Sequence, residues 1–394
     1  MAGVRNRGNG TGLTNHDAAV LLTLADLVAI NSINPAYEGG VPEEGVARYV
    51  EAFFTRIGIE TFRQEVLPGR SNVIARLPGR NAGRRIVLEA HMDTVSIAGM
   101  TIDPFVSAVT DGRLYGRGSC DTKAGLAAMM HALAYLRERS ITPPCEVWLA
   151  AVVDEEHAFR GVLKLCENLQ ADAAIVAEPT ELRAVIAAKG VLRWKLRTRG
   201  KAAHSAKPHL GISAINHMAH VLLALEREAT VLAARTHPLL GPATLNVGLI
   251  RGGEQINFVP DRCEISIDRR LLPGENPQEV WTATGALLTA LGRELPGFAF
   301  EMDAPSIADG PLETSDTDPA ALLAQRILAD LGLNAGLTGV PFGSDASKLA
   351  RHGVPSIIFG PGSIDRAHAA VEYVECDQVI GALSFYLGFL RQFE

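Results

Sequence analysis

Apolar and polar positions alternate in two different rhythms along this chain. Up to about residue 186, short apolar runs interleave with longer stretches of helical period. SNVIARL (71–77), RIVLEA (85–90), EVWLAAVV (146–153) and AAIVAE (173–178) read as strands. DAAVLLTLADLVAI (17–30) and TKAGLAAMMHALAYLRER (122–139) read as helices. Strands that are apolar throughout, spaced by helices, predict an α/β sheet covered on both faces. From about 187 to 304 the rhythm changes. GVLRWKLRTRG (190–200) alternates as a half-buried strand, followed by a helix at 213–234, strands at 244–253 and 261–272, a helix at 276–294 and a strand at 297–303. That β-α-β-β-α-β order is ferredoxin-like. After it, DPAALLAQRILADLGL (318–333) and VPSIIFGPG (354–362) return to the first style. The pattern predicts an α/β domain over 1–186 and 305–394, interrupted by an α+β domain over 187–304.

Composition narrows the class. The chain has 394 residues, 47% hydrophobic and 21% charged, with a formal charge of −7. Nothing there draws nucleic acid or an anionic membrane. No stretch has the apolar length of a membrane span. The opening MAGVRNRGNGTG carries Arg5 and Arg7 but no apolar secretion core follows directly, so a cytoplasmic protein is expected. Cys120, Cys145, Cys166, Cys263 and Cys376 are odd in number and scattered, which indicates neither a disulfide framework nor a cysteine zinc site.

The strand ends carry the chemistry. RIVLEA runs into His91, with Asp93 two residues on and so facing the same side. EVWLAAVV delivers Asp154, Glu155 and Glu156, AAIVA delivers Glu178, and the run from PSIIFGPG leads to His368. Asp121 precedes a helix. Ligands of open α/β sheets gather outside the carboxyl ends of the strands, so these residues are expected to converge. So many carboxylates would repel one another unless cations neutralise them, and two divalent metals with mixed His/Asp/Glu ligands would do so. Competing motifs are weak. Gly116 and Gly118 begin a G-x-G, but Asp121 stands where a dinucleotide loop needs its third glycine, and H-E-x-x-H, G-x-S-x-G and Walker sequences are lacking.

HMDTV, GRGSCDTKAGLAAMM, DEEHAFRG, AEPTEL, GKAAHSAKP and RAHAAVEYV occur in the order found in a family of two-zinc amidohydrolases, and the chain resembles that family over nearly its whole length. The family includes acetylornithine deacetylase, succinyl-diaminopimelate desuccinylase, aminoacylases and glutamate-releasing carboxypeptidases. The resemblance implies a zinc-peptidase-like α/β catalytic domain with an inserted ferredoxin-like α+β dimerisation (lid) domain. It implies that His91 and Glu178 hold one metal, Glu156 and His368 the other, with Asp121 bridging. Asp93 would orient His91 through its carboxylate, Glu155 would be the general base, and the peptide after Asp121 would be cis. In the insert, His204 and Asn257 would stabilise the oxyanion, His204 arriving from the partner subunit in dimeric relatives, and Arg270 would grip the substrate's carboxylate. Gly343 and Ser344, in FGSDAS, match a substrate-contacting loop.

The activity so implied is hydrolysis of an N-acyl-L-amino acid, a glutamate at 178 going with deacylases and carboxypeptidases. The alternative is a dipeptidase or glutamate-releasing carboxypeptidase. A metal-binding member without catalysis is disfavoured, because base, oxyanion group and all five ligands occur together. Zinc is the expected metal, with cobalt and manganese open. The helix AINHMAHVLLALEREATVL (214–232) has more apolar surface than one small sheet needs, which predicts a homodimer through the insert.

Overall fold

A computed structural model describes residues 15–394, so the opening stretch with Arg5 and Arg7 lies outside the described residues. The chain divides into two compact units. The first runs to Arg183 and takes in Leu323–Ala335 and Ile358–Glu394; the second comprises Ala184–Leu322 and Gly336–Ile357. The second unit thus includes segments beyond residue 304 that the sequence rhythm groups with the first.

In the first unit, α1 (Asn15–Ala29) and α2 (Glu44–Arg56) precede β1 (Glu60–Leu67), β2 (Arg70–Leu77) and β3 (Asn81–His91). Then come α3 (Lys123–Glu138), β4 (Cys145–Val152) and β5 (Ala173–Val176). The strands lie in the order β1-β2-β4-β3-β5. β1 and β2 pair antiparallel, as do β2 and β4. β3 pairs parallel with both β4 and β5. Three parallel neighbours therefore end at one edge. β3 is buried without interruption from Ile86 to His91, as its unbroken apolar run requires. α3 is buried along almost all its length, packed against β3, α1 and the C-terminal helix Cys376–Gln392. β1 was not legible as a strand. Its sequence ETFRQEVL has no apolar run, because it lies at the sheet edge and buries little.

In the second unit, β6 (Gly190–Arg199), α4 (Ala214–Ala233), β7 (Thr244–Gly252), β8 (Arg262–Leu271), α5 (Pro277–Gly292) and β9 (Ala299–Met302) follow the predicted order. Their sheet runs β7-β8-β6-β9, antiparallel throughout, which is the ferredoxin-like arrangement. β8 alternates buried and partly buried positions, and Trp194, Leu196, Ile265 and Ile267 meet Met218, Val221 and Leu288 from the helices in one apolar layer. Ser213 caps α4 by accepting the Asn216 N–H, and Asn276 caps α5 ahead of Pro277. Each cap stabilises its helix by about 1 kcal/mol.

Candidate metal centre

The parallel strands of the first unit deliver their polar ends together. His91 is the last residue of β3 and lies level with Val152 of β4. Asp154, Glu155 and Glu156 follow β4 at once, and Glu178 stands two residues past β5. Asp121 sits just ahead of α3, and the Asp121–Thr122 peptide is cis. His368 adopts φ +59°, a left-handed conformation that histidine tolerates better than most side chains.

Two sets of donors result. His91, Asp121 and Glu178 form one, Asp121, Glu156 and His368 the other, and within each set the donor atoms lie within 4.8 Å of one another. Asp121 belongs to both. The first set is buried, whereas the His368 side chain of the second is half exposed. His368 Nε2 lies 3.3 Å from Asp121 Oδ2 and 3.2 Å from Glu156 Oε1. His91 Nε2 lies 3.1 Å from Asp121 Oδ1.

The electrostatics show a site that attracts positive charge. Burial pushes the Glu178 carboxyl well above its ordinary range, and the charges of Asp121 and Glu155 push it further. Burial and Asp121 also raise Glu156. Hydrogen bonds to Asp121 and Glu156 lift His368 to about 11. Burial would lower His91, but Asp121, Glu155 and Asp93 outweigh it and hold the ring well above its usual value. For Asp121 burial acts upward, yet His368 and His91 keep it below the carboxylate range. The four raised groups favour a proton where a cation could stand instead, and the lowered Asp121 stays an anion between them. Oxygen and imidazole donors in two sets sharing one carboxylate fit a pair of divalent ions.

The tautomer of His91 agrees. Its Nδ1 lies 2.8 Å from the main-chain oxygen of Asp93, which can only accept. Nδ1 therefore carries the proton, and Nε2 can offer its lone pair. The Asp93 carboxylate stands 3.7 Å from Nδ1, close enough to act on the ring by charge but beyond hydrogen-bond length. It accepts instead the N–H groups of Glu155 and Glu156, each at 3.1 Å. A carboxylate surrounded by turn amides is better satisfied by them than by a ring already bonded to its own carbonyl.

The other expected residues lie in the second unit. His204 pairs with Phe258 in a short antiparallel two-stranded sheet, and Ser205 N–H donates to Asn257 O at 2.9 Å, so His204 and Asn257 are brought side by side, both exposed. Arg270 Nε donates to Asp268 at 2.8 Å and its Nη1 lies 3.4 Å from Pro341 O, next to the Gly343–Ser344 loop. Ser344 is buried.

Residues 87–392 match the sequence profile of peptidase family M20/M25/M40. An acetylornithine deacetylase from Myxococcus xanthus is 33% identical over 92% of this chain and 94% of its own. The chain belongs to this family. Among solved structures, a Staphylococcus aureus tripeptidase is 25% identical at a TM-score of 0.80, over 96% of this chain and 99% of the other. A Bacillus subtilis dinuclear metal binding peptidase of the M20 family has a TM-score of 0.71 at 17% identity, over 95% of this chain and 97% of the other. The M20 chain is thus a metal-dependent hydrolase of amide or peptide bonds.

Several residues around the centre escaped the sequence pattern. Asn34, Glu43 and Arg70 support the turn after β4, and Arg117 with Glu372 supports the Asp121 loop. Glu372 lies four residues past His368 within a quoted motif, which was a usable signal; the others had none.

Proposed function

We propose that this M20 enzyme hydrolyses the amide of N-acyl-L-amino acids. The observation that carries the reading is the pair of donor sets sharing Asp121, with the Glu155 carboxylate on the turn that also bears the donor Glu156. The deacetylase relative supports an acyl amino acid as substrate.

In this reading His91 and Glu178 hold one divalent ion, Glu156 and His368 the second, and Asp121 both. The ions supply Lewis acidity toward the scissile carbonyl and the attacking water. Glu155 takes the proton of that water and returns it to the leaving amine. His204 and Asn257 donate to the carbonyl oxygen as it becomes negative, an interaction typically worth about 3–4 kcal/mol per donor. Arg270 forks onto the substrate carboxylate, and Gly343 and Ser344 border the same group. Asp93 holds the Glu155–Glu156 turn through its carboxylate and the His91 ring through its main-chain oxygen.

The segment 187–304 acts as the lid and as the contact of a homodimer. Leu223 and Val231 on α4, with Leu249 and Ile250 on the edge strand β7, are each more than half exposed, which suits a second copy of the chain.

Turnover of N-acetyl, N-succinyl and dipeptide substrates, with and without chelator, tests the reading. Glu155→Gln should be inactive while retaining both ions by metal analysis. Cleavage of dipeptides alone would favour the dipeptidase alternative. Metal loss in Glu155→Gln would mean that the roles of Glu155 and Glu156 are exchanged.

A further inference from the structure

The turn that carries Glu155 is anchored on every side by groups outside the donor sets. Asp154, at its start, is fully buried and has φ +69°, a strained conformation for a residue with a side chain. Its N–H donates to Glu43 Oε1 at 3.3 Å, and the next two N–H groups go to Asp93. Tyr37 Oη donates to Glu156 O at 2.7 Å. Asn34 Nδ2 spans Asp93 Oδ2 at 2.8 Å and Asp154 Oδ1 at 3.1 Å.

Three buried carboxylates, Glu43, Asp93 and Asp154, therefore meet around one turn. Such an assembly flies apart without positive charge among them. Arg70, at the start of β2 and 8% exposed, supplies it. Its Nε donates to Glu43 Oε2 at 2.8 Å, and its Nη2 reaches both Glu43 Oε1 and Asp154 Oδ1, the latter at 3.0 Å. Arg160 Nε approaches Asp154 Oδ2 at 3.5 Å, from a side chain 43% exposed, and so offers less. A planar fork reaching two carboxylates at once is a role that an ammonium cannot reproduce.

We infer that Arg70 is a positioning residue for the reaction: through Glu43 and Asp154 it holds the Asp154–Glu156 turn in the conformation that aims Glu155, while touching neither substrate nor metal. The inference rests on Glu155 being the general base. Asn34 is the neutral half of the same device, tying the carboxylate that receives the Glu155 N–H to the one that receives Arg70.

The experiment compares Arg70→Ala, Arg70→Lys, Arg70→Met, Asn34→Ala and Glu155→Gln on an N-acyl amino acid that the wild type hydrolyses, with circular dichroism and metal analysis of each. In Arg70→Lys and Asn34→Ala we expect retained fold and metal, KM within about threefold, and kcat lowered about ten- to hundredfold, the loss that a displacement of about 1 Å at a reacting group brings. Guanidinium ion added to Arg70→Ala should restore part of kcat, which a packing defect would not show. A folded Arg70→Met and an Asn34→Ala with kcat within about twofold of wild type, beside a dead Glu155→Gln, overturn this proposal alone. A kcat loss that excess metal repairs overturns it too. Full turnover in Glu155→Gln overturns the reading of the base and this inference with it.

Discussion

His91 Nδ1 meets the main-chain oxygen of Asp93 at 2.8 Å, while the carboxylate of the same residue stands 3.7 Å away. The ring is oriented by backbone, which no side-chain substitution at 93 removes. Asp93→Asn should therefore keep both metal ions. It replaces an anion that accepts two turn amides by an amide with one oxygen, so kcat should fall about tenfold or more. Metal titration beside steady-state kinetics checks this. A tenfold to hundredfold loss of metal affinity would instead show that the carboxylate governs His91.

Glu372 and Arg117 form a buried pair under the Asp121 loop, exposed by 0% and 2% at their side chains. Glu372 Oε1 also accepts the N–H of Cys120 at 3.0 Å and of Asp121 at 3.2 Å. Glu372→Gln strands the guanidinium and should destabilise the protein by about 3–5 kcal/mol. Arg117→Gln combined with Glu372→Gln should recover part of that loss in a denaturant melt.

His131 is buried on α3, its Nε2 2.8 Å from Thr23 Oγ1 and its ring against His16 and Phe53. Burial first, then the neighbouring His16 and Arg56, lower its pKa from 6.5 to about 4. Between those values the unfolded chain binds a proton that the folded chain refuses. The ring's contribution is complete above about pH 6.5 and is lost as pH falls toward 4, by about 3 kcal/mol in total. His131→Phe should be slightly weaker at neutral pH yet lose less stability across that window. Parallel stability-versus-pH curves for the two proteins would refute the assignment.

A β-carbon on Gly343 would lie 2.5 Å from Asp309 Oδ2. That carboxylate cannot swing away, because Ser347 Oγ donates to it at 2.9 Å and Lys348 Nζ holds it at 2.7 Å. Gly343→Ala should displace the loop, costing about 1–3 kcal/mol, and raise KM more than it lowers kcat. Thermal melts and kinetics on the variant test both.

The fold was largely written in the hydrophobic pattern. Buried β3 and the alternating β8 announced themselves because burial on two faces and on one face leave different periods. The donors were legible for a related reason, since a polar group at the end of an apolar run stands out. What stayed hidden were relationships between residues far apart in sequence. Arg70 pairs with Asp154 across 84 positions, and Arg117 with Glu372 across 255, and neither arginine differs locally from a surface one. At Asp93 the spacing reports side-chain direction, whereas the hydrogen bond to His91 uses the main-chain oxygen, which no residue pattern announces.

The parallel pairing of β4, β3 and β5 has a consequence for how this centre tolerates change. Donors mounted at the tips of adjoining strands inherit their sideways separation from the main-chain ladder, which holds neighbouring strands about 4.8 Å apart whatever side chains they carry. Segments at the far end of those strands can lengthen, shorten or be cut and rejoined without resetting that gauge. The chemistry is calibrated by the peptide backbone itself.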